Sequence, residues 1–154
     1  MLLPPYTTAY MRTLLAADDE DALAALAHFL RTFDYPVSIA RLAAGADIVN
    51  QPVYSPNVTA KLTYLKLLTQ GAPAGIDDGN TAVLTLRNNS GDTVATVTYN
   101  TANQPPSSGM DDLTSGIVTA QATIANDEFL TLSLTQGTTA RMPAGVLILG
   151  VTIP

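Results

Sequence analysis

Few side chains in this 154-residue sequence could do chemistry, and the acids are the ones that fall into suggestive groups. Asp77-Asp78-Gly79-Asn80 puts two carboxylates and an amide into one short stretch, an oxygen set of the kind that binds Ca²⁺. Its spacing departs from the alternating Asp/Asn ligands of an EF-hand loop, and the same residues make an ordinary Asx and glycine turn. The expected metal set is therefore none. Asp111-Asp112 and Asp127-Glu128 could provide a carboxylate pair for glycoside hydrolysis, one acid protonating the leaving oxygen and the other acting as base or nucleophile. Such pairs work inside an aromatic-lined cleft, and a chain with no Trp, three Phe and six Tyr has little to line one. His28 is the single histidine, so any Ser-His or Cys-His site would have to use it. The chain has no cysteine and no GxSxG elbow to go with it, and His28 reads as a helix-surface or interface residue. No P-loop or GxGxxG run occurs. These observations predict a protein that is not an enzyme and carries no cofactor.

The totals narrow the class further. Hydrophobic residues make up 47% of the chain and charged residues 13%, which suits a buried core rather than disorder. Low charge with many Thr, Ala and Asn residues suggests a surface partly covered by other chains. The net charge is −6, and the seven basic residues are scattered, so the footprint of a nucleic-acid binder is missing. Disulfides and thiolate metal sites are excluded by the lack of cysteine. The longest apolar run, Val146 to Val151, is far too short to span a bilayer as a helix. Met1-Leu2-Leu3-Pro4-Pro5 lacks the basic start and long apolar stretch of a signal peptide, which predicts synthesis in a reducing cytosol. Asn57-Val58-Thr59 and Asn88-Asn89-Ser90 match the glycosylation pattern but read as chance matches on that ground.

The elements that would position these residues divide into two modules, 1–55 and 56–154. Asp18 looks like an N-cap for a helix to about Phe33, with Asp19, Glu20 and Asp21 in its first turn. Leu23, Leu26, Leu30 and Phe33 form one apolar stripe on it, with Phe29 alongside. Asp34-Tyr35-Pro36 reads as its stop. Val37 to Ala44 reads as another short helix or a turn, and Asp47 to Pro56 as an extended linker with two prolines. A unit this small rarely supports itself, so it is expected to act as a docking arm. Its predicted partner contacts are Leu23, Leu26, Phe29, Leu30 and Phe33. An acidic first turn argues against a membrane as the surface it meets.

From Val58 onward the pattern is β. Strands are predicted at Val58–Leu68, Ala82–Arg87, Thr93–Tyr99, Ile117–Ile124, Leu130–Thr135 and Val146–Ile153. That is six strands, or eight if the extended patches of 47–56 count. Leu130, Leu132 and Leu134 alternate with polar residues, and Leu147, Leu149, Val151 and Ile153 repeat the pattern. This last pair reads as the spine of the domain, with Val146 and Ile148 making the final strand apolar on both faces. Residues 101–115 form a long polar loop, of the sort found at functional sites or contacts. The predicted fold is mainly β, an antiparallel β-sandwich of jelly-roll type with a short N-terminal helical and extended arm.

Two stretches resemble tailed-bacteriophage virion proteins. Residues 13–26, TLLAADDEDALAAL, are similar to a helix pair near one end of phage fibre and appendage modules. The basic residue and closing Leu-Gly usual there are absent, which counts against a fibre. Residues 62–153 resemble the jelly-roll or sandwich modules of phage cement, decoration and fibre proteins. The features that carry this are the LTYLKLL first strand, the VLTLRNNSGDTVATVTY hairpin, IANDEFLTLSLTQGTT and the closing VLILGVTI. The resemblance implies a non-enzymatic virion protein, assembled in the host cytoplasm. It also implies a homotrimer that binds the major capsid protein or other virion proteins. The first expectation is a cement or decoration protein whose arm grips the shell. The alternative is a short fibre or tail appendage whose sandwich reads a host surface. A carbohydrate-binding module ranks below both, because it calls for exposed aromatics in line and the tyrosines available in the sandwich half are only Tyr54, Tyr64 and Tyr99.

Overall fold

A computed structural model describes residues 31–154. The chain divides at Thr32/Phe33, and the sandwich is Phe33–Pro154. Among the described residues there are nine strands: β1 (Thr32–Ile39), β2 (Ile48–Tyr54), β3 (Ala60–Gln70), β4 (Ala82–Asn88), β5 (Thr93–Tyr99), β6 (Ser108–Asp112), β7 (Thr123–Ile124), β8 (Leu130–Gln136) and β9 (Ala144–Thr152). They build two sheets. One runs β1-β9-β3-β6, with β7 also paired to β3; the other runs β2-β8-β4-β5.

This order has a simple origin. Setting aside the two-residue β7, the strands pair as β1·β9, β2·β8, β3·β6 and β4·β5. That is one long antiparallel ribbon whose tip is the β4–β5 hairpin. Wrapping it so that alternate pairs fall on opposite sides brings β9 against β3 and β8 against β4. The result is the jelly roll expected from sequence.

The predicted spine holds its place. β8 and β9 are interior strands of opposite sheets. Leu130, Leu132 and Leu134 on one, and Leu147, Leu149 and Val151 on the other, are buried in a single core with Leu62, Leu65, Leu67, Leu84 and Leu86. Burying a leucine contributes roughly 1.5–3 kcal/mol, so these rows dominate the stability of the domain. Val146 and Ile148 are half-buried on the opposite face of β9.

β3 departs from simple alternation. Leu62 and Tyr64 were expected on one face and Leu65 with Leu67 on the other. The register against β9 shifts between Leu62 and Tyr64, where Leu62 faces Val151 and Tyr64 faces Gly150. That bulge puts one extra residue into β3, so Leu62 joins Leu65 and Leu67 in the core while Tyr64 turns outward. Tyr64 lies over Gly150, where a Cβ would come within 2.2 Å of the ring. Any side chain beneath that ring would force it to move.

Four local expectations are corrected. Val37 and Ile39 are not helical but are the buried end of β1. Residues 47–56 are not a free linker, because Ile48–Tyr54 pairs with β8. Residues 33–54 thus belong with the sandwich rather than with an arm ending at 55. The prolines misled: Pro36 and Pro52 sit in β1 and β2, each at the edge of its sheet, where a missing N–H is tolerated. Third, the polar loop 101–115 contains β6, which pairs with the second half of β3.

Fourth, Ile117–Ile124 is not one strand. Its ends pair in different sheets: Ile117 bridges Ala95 of β5, and Ile124 pairs Ala60 of β3. Between them the chain must cross the side of the sandwich. It does so with a short 3₁₀ turn, Thr119–Gln121; an earlier one, Thr114–Gly116, lies between β6 and Ile117. Ala120 and Ala122 made a period-2 pattern without the side-chain area that would hold a strand in place.

Candidate functional site

Most of the acids singled out from sequence serve the fold. Asp77 Oδ1 accepts hydrogen bonds from the backbone N–H of Gly79 and of Asn80, both at 2.8 Å, the Asx turn expected of that stretch. Asp78 Oδ1 accepts from Thr101 N–H at 3.2 Å, while Asp78 N–H donates to Thr101 Oγ1. These bonds tie the β3–β4 loop to the loop after β5. Asp111 Oδ2 accepts from the Tyr99 hydroxyl at 3.0 Å. Tyr99 is fully buried, and burial first, then the charge of Asp111 and its hydrogen bond, push the phenol's pKa far up. Asp112 Oδ1 accepts from Thr114 N–H at 3.0 Å. Hydrogen bonds from the Thr114 side chain and backbone hold the Asp112 carboxyl below its usual range, with Lys66 adding a smaller pull. Glu128 Oε2 accepts from Ala125 N–H at 2.9 Å, which closes the turn before β8. Among the described residues no group of three or more His, Cys, Asp or Glu could hold a metal ion. No described helix is long and apolar enough to cross a membrane.

A candidate contact surface lies elsewhere, where the edge strands β1 and β2 meet one end of the sandwich. Along β1, Phe33, Tyr35, Val37 and Ile39 share one face by period 2. Val37 and Ile39 are covered by the core, whereas Phe33 is 49% and Tyr35 44% exposed. The face passes from buried to open along a single strand. Tyr54 of β2 meets Tyr35 edge-on, with ring centroids 5.1 Å apart and planes at 70°. Burial, and then the neighbouring Tyr35, raise the pKa of the Tyr54 phenol. Pro56 and Val58 from the β2–β3 connection, with Val151 and Ile153 from the end of β9, complete an open apolar cleft of about 380 Å³. Val58 is itself 48% exposed. Asp34 also lines the cleft and accepts a hydrogen bond from the Tyr64 hydroxyl, and Lys66 Nζ stands 4.9 Å over the Tyr64 ring.

Of the predicted partner contacts, Leu23, Leu26, Phe29 and Leu30 lie outside the described residues, as does His28. Phe33 is placed in β1, not at the end of a helix, and it lines the cleft. Tyr35, Tyr54, Val58 and Ile153 line it as well and were not singled out from sequence as contacts. The signal was present in the alternation Phe33/Tyr35/Val37/Ile39, which a strand reading of β1 would have used.

No family model and no curated protein matches the sequence. Solved structures do. The chain is similar over 80% of its length to the VP2 subviral particle of infectious bursal disease virus, with 15% identity and a TM-score of 0.36. A structure of the Gx strain of that virus matches with 16% identity and a TM-score of 0.36. T=1 particles of a VP2 mutant match with 13% identity and a TM-score of 0.33. In each case the chain covers 32% of the matched chain, about a third of its length.

Proposed function

We propose that this protein is a structural component of a virus particle, of the cement or decoration type found on tailed phages. It works by assembly rather than catalysis, joining copies of itself, as a trimer, to the capsid shell. One observation carries this reading. The sandwich completes its own core and still leaves Phe33, Tyr35, Tyr54, Val58 and Ile153 lining an open cleft at one end. Contiguous exposed apolar surface on an otherwise well-packed domain marks a contact with another protein. The wrapped-ribbon strand order, a frequent architecture of capsid domains, and the resemblance of residues 62–153 to phage virion modules support the same reading, the first only as analogy between folds.

The test is assembly. Light scattering of the intact chain is expected to give three times the chain mass, and Phe33→Asp combined with Tyr35→Asp is expected to give monomer with an unchanged β circular dichroism spectrum. A wild-type protein that stays monomeric at every concentration and does not sediment with particles refutes the proposal. The alternative, a fibre or tail appendage, is separated by copy number: quantitative mass spectrometry of particles is expected to find many copies per shell, whereas a fibre is present in far fewer.

A further inference from the structure

The outer face of the β2-β8-β4-β5 sheet differs in kind from the apolar cleft. Successive cross-strand rows on it run Thr93, Arg87, Thr131 and Pro52, then Thr96, Thr85 and Ser133. The face is lined with hydroxyls and carries one charged side chain, Arg87. At that end the sheet sinks into a hollow of about 370 Å³ whose lining includes Asn50, Arg87, Asn89, Phe129 and Thr131. Its volume lies within the range of small-ligand sites, roughly 300–1,000 Å³.

The polar groups here are held in place by the fold. Arg87 Nη1 donates to Gly91 O at 2.9 Å, which anchors the guanidinium to the β4–β5 hairpin. Among the described residues Arg87 has no carboxylate partner, in a chain whose net charge is −6. The hairpin's own acid, Asp92, does not line the hollow; its backbone N–H donates to Asn88 Oδ1 at 2.9 Å and its carboxylate faces Asn88 Nδ2. Asn50 adopts the left-handed backbone, φ 47°, a conformation Asn tolerates better than most residues. Its N–H donates to Ser133 Oγ at 3.1 Å, and Ser133 Oγ donates back to Asn50 Oδ1. That pair leaves the Asn50 amide NH₂ to serve the hollow. Phe129 is 40% exposed on the rim.

An anchored guanidinium, amide donors and acceptors, and one open aromatic ring make a specific combination. The fork of Arg87 suits a planar carboxylate. The amides of Asn50 and Asn89 suit vicinal hydroxyls. The Phe129 ring suits the C–H face of a pyranose, and the adjoining hydroxyl row continues the surface for further sugar units. We infer that this hollow is a binding site for an acidic glycan, with the sugar carboxylate on Arg87 and the ring against Phe129. The inference stands independently of the assembly reading, because the apolar cleft contributes none of these residues.

The experiment measures binding of the intact protein, by calorimetry, to oligosaccharides containing uronic or sialic acid. The same sugars as methyl esters and free acetate serve as controls. At least one acidic oligosaccharide is expected to bind, with at least tenfold weaker binding of its ester and no measurable binding of acetate. Arg87→Gln and Phe129→Ala are each expected to weaken binding tenfold or more, while Arg87→Lys retains part of it. Both side chains are exposed, and circular dichroism checks that each variant is folded. Failure of every acidic sugar to bind, equal binding of acid and ester, or binding untouched by both Arg87→Gln and Phe129→Ala would overturn the inference. Acetate binding as well as the oligosaccharide would do so too, since it would mark a plain anion site. Phe33→Asp is expected to leave glycan binding unchanged, so the two proposals fail separately.

Discussion

Removing one hydroxyl should loosen the edge of the sandwich without touching its core. Tyr99 is fully buried at the end of β5, and its hydroxyl donates to Asp111 Oδ2 in β6 at 3.0 Å. β5 and β6 belong to different sheets, so this bond crosses between them. Tyr99→Phe keeps the ring and its packing. A hydrogen bond to a charged group contributes about 1.5–3 kcal/mol. Asp111 is half-buried and can rehydrate, so the lower end, about 1.5 kcal/mol, is expected. That is about a tenfold fall in the folding equilibrium. Urea unfolding should show a lower midpoint with an unchanged slope. In a double-mutant cycle, Asp111→Ala should cost much less once Tyr99 is Phe. The sign with pH follows from the raised phenol pKa. Below the ordinary tyrosine value, about 10, the bond contributes in full. Above it the unfolded chain loses the proton first, so stability falls as pH rises, and Tyr99→Phe should blunt that fall. If the two substitutions add independently, within about 0.5 kcal/mol, and the alkaline profile is the same with Phe, the bond does not join the sheets and the reasoning fails.

Two further outcomes can be checked with similar means. Gly150→Ala should destabilise by about 1–3 kcal/mol in urea unfolding, since its Cβ would stand 2.2 Å from the Tyr64 ring. Tyr64→Ala should relieve most of that loss, and a double variant no better than the sum of the singles would exclude steric conflict as the cause. Asp112, whose carboxyl is held low by Thr114, should titrate by NMR below an ordinary aspartate, and Thr114→Ala should move it back up. A depressed pKa stabilises the fold above the unfolded value and is lost as pH falls through the folded one, so any acid sensitivity from this residue should shrink in Thr114→Ala.

The body of the fold was readable where burial imposes a strict period. β4, β8 and β9 were readable because one face of each is sealed by leucines such as Leu84, Leu132 and Leu149, and β5, which has no leucine, through its hairpin with β4. Legibility failed at the margins for separate reasons. In β1 and β2 a proline breaks the pattern, and sequence alone does not distinguish a strand at the edge of a sheet from a linker. In β3 the bulge at Thr63 changes the phase by one residue, which only the partner strand reveals. β6 has no pattern of its own; it is held by β3 and by the Tyr99–Asp111 bond. The apolar cleft was legible only through Phe33, and the hollow around Arg87 not at all. Its residues come from β2, the β4–β5 hairpin and the approach to β8, which topology alone brings together.

The wrapped ribbon has a consequence for how the polypeptide is made. Thr63 bonds to Gly150, a residue 87 positions further on, and β1 and β2 likewise wait for β9 and β8. On the ribosome the early strands emerge long before their mates, which makes for slow maturation and a long vulnerable interval. During that delay Pro36 and Pro52 interrupt the donor rows of the two waiting strands, and so guard nascent chains on the same polysome against zipping to one another.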